Sequence, residues 1–395
     1  MLLLQRRSRR PYSTFSSLQL RCPAELRANA QWNTSASSEV TERLMFDSYC
    51  VVPDALPVEY LTRLRHEMET LHKSGHLWPN ATHILQKATQ TNTSDTTTKT
   101  LLLEKRDIWE IELALLDQIR DTTAATPFLN DFDDQQVVST KLRHVLPTWL
   151  GLSGQMIKGQ YNAGQGACFP LHFDTYGDDG KCVTAVLYLN QGWEPQHGGE
   201  LVLYPLVVPR SRVVVQPQLG TLVLFSSQQM LHRVIPAFQP RYALTTWLYH
   251  SPGPRFKAES DAFYRHCHHR SRAANAAAVE RVSSDKENVL FRSMVTKLLR
   301  SAPFRRHLLK LMHEQEWTQS LRDSHVHTEA FGQYMATHEH ELQVIEAATS
   351  QVLDTFRAKD GGKTSRLPRT KEELMHRVTD KDSQKFLQSL QLHWF

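Results

Sequence analysis

The chain is poor in cysteine, in long apolar runs and in net charge, and each shortage closes off a class of protein. Five cysteines (Cys22, Cys50, Cys168, Cys182, Cys267) are scattered over 395 residues with no C-x-x-C pair. An odd, sparse set offers no disulfide framework and fits reduced thiols in an intracellular compartment. No stretch reaches the roughly 18 consecutive apolar residues that a membrane-spanning helix needs, so no membrane span is expected. Lysine and arginine (46) barely outnumber aspartate and glutamate (41), and a formal charge of +5 is too mild to argue for nucleic acid. The hydrophobic fraction of 40% and charged fraction of 22% are ordinary for a globular protein. The length suffices for a well-buried core and two domains.

Acidic residues are missing from the first stretch. Glu25 is the first of them, and five arginines and several serines precede it. Arg-rich, Ser-rich and acid-poor is the composition of a mitochondrial transit peptide. Residues 1–26 are therefore expected to address the chain to the mitochondrial matrix, the alternative being a basic tail on a cytoplasmic protein.

Histidine, by contrast, is plentiful, with 20 in the chain, so chance H-x-D pairs are expected. His172 and Asp174 form one such pair, but more follows: His232 lies 58 residues after Asp174, and Arg241 nine residues after that. Two histidines and one carboxylate are the ligand set that holds Fe(II) on one face and leaves the other positions open. Residues i and i+2 of a strand point to the same side, so one strand end can aim both His172 and Asp174 at one point. The planar fork of an arginine suits a carboxylate. Between these residues the sequence reads as short strands. Val183 to Leu189 is a strand, as are Leu201 to Tyr204, Val213 to Val215, Leu222 to Phe225 and Tyr242 to Tyr249. Gly198-Gly199, Gly220 and Pro240 punctuate them. Short strands at this spacing predict a sandwich or jelly roll whose mouth gathers ligands from several strands.

From about Gly159 to Tyr249 the chain resembles the prolyl 4-hydroxylase-like branch of the Fe(II)/2-oxoglutarate dioxygenases, in particular the hypoxia-sensing prolyl hydroxylases. The residues that carry this are Tyr161, HFD at 172–174, GDDGKCVTAVLYLN at 177–190, GGELVLYP at 198–205, QLGTLVLFSS at 218–227 and HRVIPAFQPRYALTTWLYH at 232–250. The resemblance implies an α+β protein: a double-stranded β-helix core over about 152–250, flanking N-terminal helices and a helical C-terminal extension. It implies that His172, Asp174 and His232 bind iron and that Arg241 pairs with the distal carboxylate of 2-oxoglutarate. Tyr161, Tyr188, Thr245 and Trp247 fall where the family has residues of the 2-oxoglutarate pocket. The implied cofactors are Fe(II), 2-oxoglutarate, O2 and L-ascorbate. The implied reaction hydroxylates a protein side chain, prolyl in the first instance, while 2-oxoglutarate becomes succinate. A small-molecule hydroxylase is the rival within the class, and a catalytically silent jelly-roll scaffold is the rival outside it. The segment from Tyr161 to His172 is one residue longer than in the hypoxia-sensing type.

The flanks read as follows. Residues 27–40 are a polar linker, Leu44 to Val52 a strand, and Val58 to Leu71 a helix started at Pro57. Residues 89–100 are a low-complexity loop, and Ile108 to Ile119 and Val137 to Leu150 are helices. The dioxygenase domain is expected over 40–255. Residues 256–395 are expected to be a helical extension that could meet a helical partner or a second copy. Its helices are placed at Ala262 to Val282, Val295 to Met312, His325 to Arg357 and Lys371 to Leu392, with a flexible link over 359–370. The histidines at 266, 268, 269, 325, 327, 338 and 340 are expected to be solvated rather than a second metal site, since no second cysteine completes a set beside Cys267.

Overall fold

The computed structural model describes residues 34–86, 99–119, 126–206, 212–266, 286–359 and 367–380, and a few further positions up to 395. The expected transit peptide, most of the 89–100 loop and the Cys267-His268-His269 run lie outside the described residues.

Two antiparallel sheets face each other. The large sheet is built from β1 (Tyr49–Val52), β2 (Trp78–Gln86), β3 (Lys99–Glu112), β4 (Leu152–Asn162), β6 (Lys181–Tyr188), β9 (Leu222–Ser226) and β11 (Arg241–His250), in the order β1-β9-β6-β11-β4-β3-β2. The small sheet is built from β5 (Ala167–His172), β7 (Leu201–Tyr204), β8 (Val213–Val215) and β10 (Leu231–Ala237), in the order β5-β10-β7-β8. This is the mixed α+β jelly roll that the strand pattern implied.

Alternation along the strands sorts the side chains into three cores. Val186, Tyr188, Leu203, Val223, Phe225 and Ala243 fill the space between the sheets. The other face of the large sheet, with Leu187, Leu224, Tyr242, Leu244 and Leu248, packs under the N-terminal helices α1 (Thr34–Asp47), α2 (Val58–Lys73), α3 (Pro127–Asp134) and α4 (Val137–Val145). The outer face of the small sheet, with Leu171, Phe173, Val202, Tyr204 and Leu231, packs under the C-terminal helices. These are α5 (Lys286–Leu299), α6 (Ala302–Met312), α7 (Glu314–Ser324), α8 (Glu329–Lys359) and α9 (Lys371–Val378). Each sheet thus buries both faces.

Several expected elements differ. Leu44 is not in a strand: residues 34–40 of the supposed linker belong to α1, which runs to Asp47, and left-handed Ser48 (φ 66) turns the chain into the short strand β1. Ile108 to Glu112 is strand, not helix. Ile108 and Ile111 suit either period, but pairing with β4 from Ile108 to Glu112 decides it, and only Leu113–Gln118 coils, as a 3-10 turn. The helix expected over Val295 to Met312 is two helices, because Ser301 caps α6 and Pro303 follows. His325 precedes α8, and α9 ends at Val378 instead of running on to Leu392, with Ser383, Phe386 and Leu387 helical again beyond it.

Glu67 fixes α3 in place. The buried carboxylate accepts the amide N–H groups of Phe128 (3.0 Å) and Leu129 (2.8 Å), which the start of a helix leaves unpaired. Glu67→Ala should destabilise the fold by about 1–3 kcal/mol in urea titration. Burial pushes the Glu67 carboxyl from 4.5 up to about 7, against the pull of those two amides. The folded state then holds this proton more tightly than the unfolded chain, so stability should fall as pH rises from 4.5 to about 7. Glu67→Gln should flatten that slope.

Candidate active site

A bulge in β5 sets up the site. His232 of β10 pairs with His172, but Val234 pairs with Phe169, so β5 spends one extra residue between them. The extra residue reverses the alternation. Phe169 therefore points between the sheets, Leu171 and Phe173 pack outward, and His172 turns inward at the strand end. Asp174 follows two residues after His172, with its amide donating to the Ser227 carbonyl at 3.1 Å.

His172, Asp174 and His232 converge, and one ligand atom from each lies within 4.8 Å of the others. Asp174 Oδ1 is 3.5 Å from His172 Nε2 and 3.7 Å from His232 Nε2. Each imidazole is oriented from behind. His172 Nδ1 donates to the Pro170 carbonyl at 2.8 Å and His232 Nδ1 to that of Met230 at 3.1 Å. With the proton on Nδ1, each Nε2 offers its lone pair to the centre. Burial, and then the neighbouring His172, push His232 down to about 4, so it is neutral at ordinary pH. Burial raises the Asp174 carboxyl, but the imidazoles of His232 and His172 and the Thr184 hydroxyl outweigh it and hold it far below the usual carboxylate range. Two neutral nitrogens and one carboxylate, aimed at a single point, are a cation's donor set. Among the described residues no other cluster of this kind occurs.

Thr184 escaped the sequence reading. It projects inward from β6, its Oγ1 donates to Asp174 Oδ2 at 2.5 Å, and it is 2.8 Å from Ser227 Oγ. This leaves Asp174 Oδ1 for the centre. Its parity within β6 was the available signal. Thr184→Val keeps the shape and removes the donor, and should weaken metal binding about 10–100-fold in a Mn(II) titration.

Arg241 opens β11 and is buried. Its guanidinium lies 4.9 Å over the Tyr188 ring, and its Nε has no hydrogen-bond partner. The Tyr188 hydroxyl, also buried, lies beside it without hydrogen-bond geometry. Burial lowers the Arg241 pKa, a cost to the charged form that an incoming anion would relieve. Asn190 holds the strand start: its Oδ1 accepts from the Tyr242 amide at 2.7 Å. Gly199 (φ 72) leaves the space. A Cβ there would stand 3.1 Å from Arg241 Cδ and 3.2 Å from the Trp193 ring.

Thr245 and Trp247 share the inward face of β11 with Arg241. Thr245 Oγ1 donates to Gln160 Oε1 at 3.2 Å, and Trp247 Nε1 is buried without a partner. Tyr161 does not join them. It pairs in register with Tyr242 and Trp109 on the opposite face, where its ring lies 3.8 Å from His72 under α2. Its place directly opposite Tyr242 fixes this face, since residues paired across antiparallel strands project to the same side. Gln160 and Asn162 look inward instead.

The other expected histidines are partly corrected. His325 and His338 are buried rather than solvated: His325 Nδ1 bonds to the Leu321 carbonyl at 3.0 Å, and His338 Nε2 to Thr318 Oγ1 at 3.1 Å. His327 and His340 are exposed. Cys50, Cys168 and Cys182 are free and buried, and burial pushes their thiols up to about 11, about 11 and about 12.

Comparison with known proteins agrees with this geometry. Residues 159–249 match the model of the 2OG-Fe(II) oxygenase superfamily. A hypoxia-inducible factor prolyl hydroxylase of Caenorhabditis elegans is 30% identical over 139 residues, 35% of this chain and 18% of that protein. Prolyl hydroxylase EGLN3 of Homo sapiens is 35% identical over 89 residues, 22% of this chain and 36% of that protein. The chain thus spans well under half the length of these relatives. A prolyl 4-hydroxylase crystal structure from Phytophthora capsici superposes with a TM-score of 0.55 at 23% identity, over 88% of this chain and 95% of that one, and shares the fold. No helix among the described residues is long and apolar enough to cross a membrane. Residues 159–249 are thus similar to the 2OG-Fe(II) oxygenase superfamily and to prolyl hydroxylases, and within them His172, Asp174 and His232 form one cluster.

Proposed function

We propose that this chain is an Fe(II)/2-oxoglutarate-dependent dioxygenase that hydroxylates a protein side chain, with proline as the first candidate. The observation that carries the reading is the pairing of the triad with a buried arginine that makes no ion pair among the described residues. His172, Asp174 and His232 would hold Fe(II), and Arg241 with Tyr188 would hold the distal carboxylate of 2-oxoglutarate. When bound, these groups supply the oxidising chemistry, converting 2-oxoglutarate and O2 to succinate and carbon dioxide with insertion of one oxygen atom into a C–H bond of the substrate.

The chain's own part is positioning and charge. Asp174 brings one negative charge and is kept ionised by its neighbours. The backbone carbonyls of Pro170 and Met230 hold both imidazoles in one tautomer. The inner core around Tyr188, Phe225 and Ala243 excludes water from the arginine end. The His172 side chain is 35% exposed while those of His232 and Asp174 are each at 7%, so the centre opens to solvent on the His172 side. A substrate enters there. Likeness to prolyl hydroxylases supports the choice of peptidyl proline, and L-ascorbate is the reductant proposed to keep iron ferrous.

The test supplies Fe(II), 2-oxoglutarate, ascorbate, air and a library of proline peptides. Succinate should form, and peptides should gain the mass of one oxygen atom. Failure to bind both metal and 2-oxoglutarate would sink the reading.

A further inference from the structure

Lys105, a cation beside Phe169 of β5, has no ion-paired carboxylate among the described residues. Lys105 lies on β3, where bulged pairing against β2 between Pro79 and Ala81 bends the strand. Its ammonium donates to Asn80 Oδ1 at 2.8 Å and to Thr82 Oγ1 at 3.2 Å, both neutral acceptors. An ammonium has three donors, so one is left over. The neighbouring carboxylate, Glu110, is already engaged by Lys158 Nζ at 2.5 Å on one oxygen and by the Asn80 amide on the other. Among the described residues Lys105 makes no ion pair.

The position of this ammonium points it at the chemistry. It lies 5.7 Å from the ring of Phe169, which faces the space between the sheets three residues before His172. The backbone of Lys105 also bridges to that of His325, and both Lys105 and His172 lie within electrostatic reach of that buried imidazole. From Lys105 a polar strip follows the inner face of the large sheet. It passes through Asn80, Glu110 and Lys158 and ends near Gln160, which accepts from Thr245 in the 2-oxoglutarate pocket. Glu110 and, opposite Lys158 in the pairing of β3 with β4, Glu112 lie at the Lys158 end of the strip, which leaves Lys105 the cation at its other end. Burial pulls Lys105 down to about 8, as for a cation held without sufficient counter-charge.

We infer that Lys105 is a specificity residue that binds a carboxylate carried by the substrate and holds it on the β3 side of the site. The inference rests on the oxygenase reading above and narrows its substrate to an anionic one. Two sources carry that group: an acidic side chain flanking the oxidised residue of a peptide, or the α-carboxylate of a free amino acid. Lys105 is held by Asn80 and Thr82 whereas Arg241 stacks on Tyr188, so a carboxylate bound at Lys105 is distinct from the one proposed at Arg241.

The experiment measures binding to the protein loaded with Mn(II) and 2-oxoglutarate, by calorimetry. The probes are blocked proline peptides with Glu or Gln at each flanking position, and free L-proline beside L-prolinamide. Wild type, Lys105→Gln and Lys105→Arg are compared. Wild type should bind a carboxylate probe about tenfold or more tightly than its matched amide, the size of one charge-assisted hydrogen bond. Lys105→Gln should erase that preference and Lys105→Arg should keep most of it. Preference among the peptides only assigns the peptide source, and preference for L-proline only assigns the free amino acid. No acid-over-amide preference in wild type, or no binding of any probe, overturns the inference. So does a preference that Lys105→Gln retains, or one that Lys105→Arg loses. A protein that turns over 2-oxoglutarate yet shows no preference loses this inference alone. A protein that cannot take up Mn(II) and 2-oxoglutarate loses the oxygenase reading as well.

Discussion

Asp174→Ala should lose succinate formation by more than about a hundredfold while the protein stays folded. The floor comes from chemistry around such centres, since residues that only orient a ligand already cost about 10–100-fold when removed. Asp174 is a ligand candidate, and it supplies the centre's only negative charge. Its removal leaves two neutral nitrogens facing a dication. The fold should tolerate the change. Thr184 and Ser227 still bond each other at 2.8 Å, and the backbone amide at position 174 still reaches the Ser227 carbonyl. Metal titration and succinate assay on the same preparation check this. Full turnover by Asp174→Ala would remove the triad from the mechanism.

Arg241→Lys should raise the 2-oxoglutarate concentration needed for half-maximal rate by more than about a hundredfold, almost as much as Arg241→Ala. Breaking a buried charge pair from one side costs roughly 3–5 kcal/mol, which corresponds to at least that factor. Lysine keeps the charge but not the fork, and a bidentate grip on a carboxylate needs the fork. It would also lose the stacked position over Tyr188, 4.9 Å from the ring. Metal affinity should be unchanged, because Arg241 touches none of the triad. Initial rates against 2-oxoglutarate, set beside Mn(II) binding, separate the two effects. A modest rise for Arg241→Lys would mean that simple charge, not geometry, holds the cosubstrate.

The triad was legible in the sequence because its spacing reports a strand end and a returning strand. The bulge that actually aims His172 was not, since nothing in FPLH marks which residue is extra; pairing with β10 decides it. Tyr161 shows the same limit. Its motif does not say which face of β4 it takes, and pairing opposite Tyr242 sets it on the α2 side. Ile108 to Ile119 read as helix because apolar residues three and four apart fit both periods, and only the neighbours β2 and β4 settle it. Thr184 and Lys105 carry no motif at all. Their roles come from where a tertiary partner stands, and a lone sequence does not list partners.

The C-terminal helices change what kind of object the jelly roll is. β5 is the outermost strand of the small sheet, and α7 satisfies its exposed edge: the Leu171 amide donates to Ser320 Oγ at 3.0 Å, and Trp317 covers Phe173. The amide of Val326 likewise reaches the Glu104 carbonyl of β3 at 2.9 Å. Cut after residue 255, the barrel would present an unpaired strand and an apolar sheet face to any other chain. Such edges recruit further strands. The excised barrel would therefore be an aggregation template and not a minimal enzyme, and the helices act as its built-in chaperone.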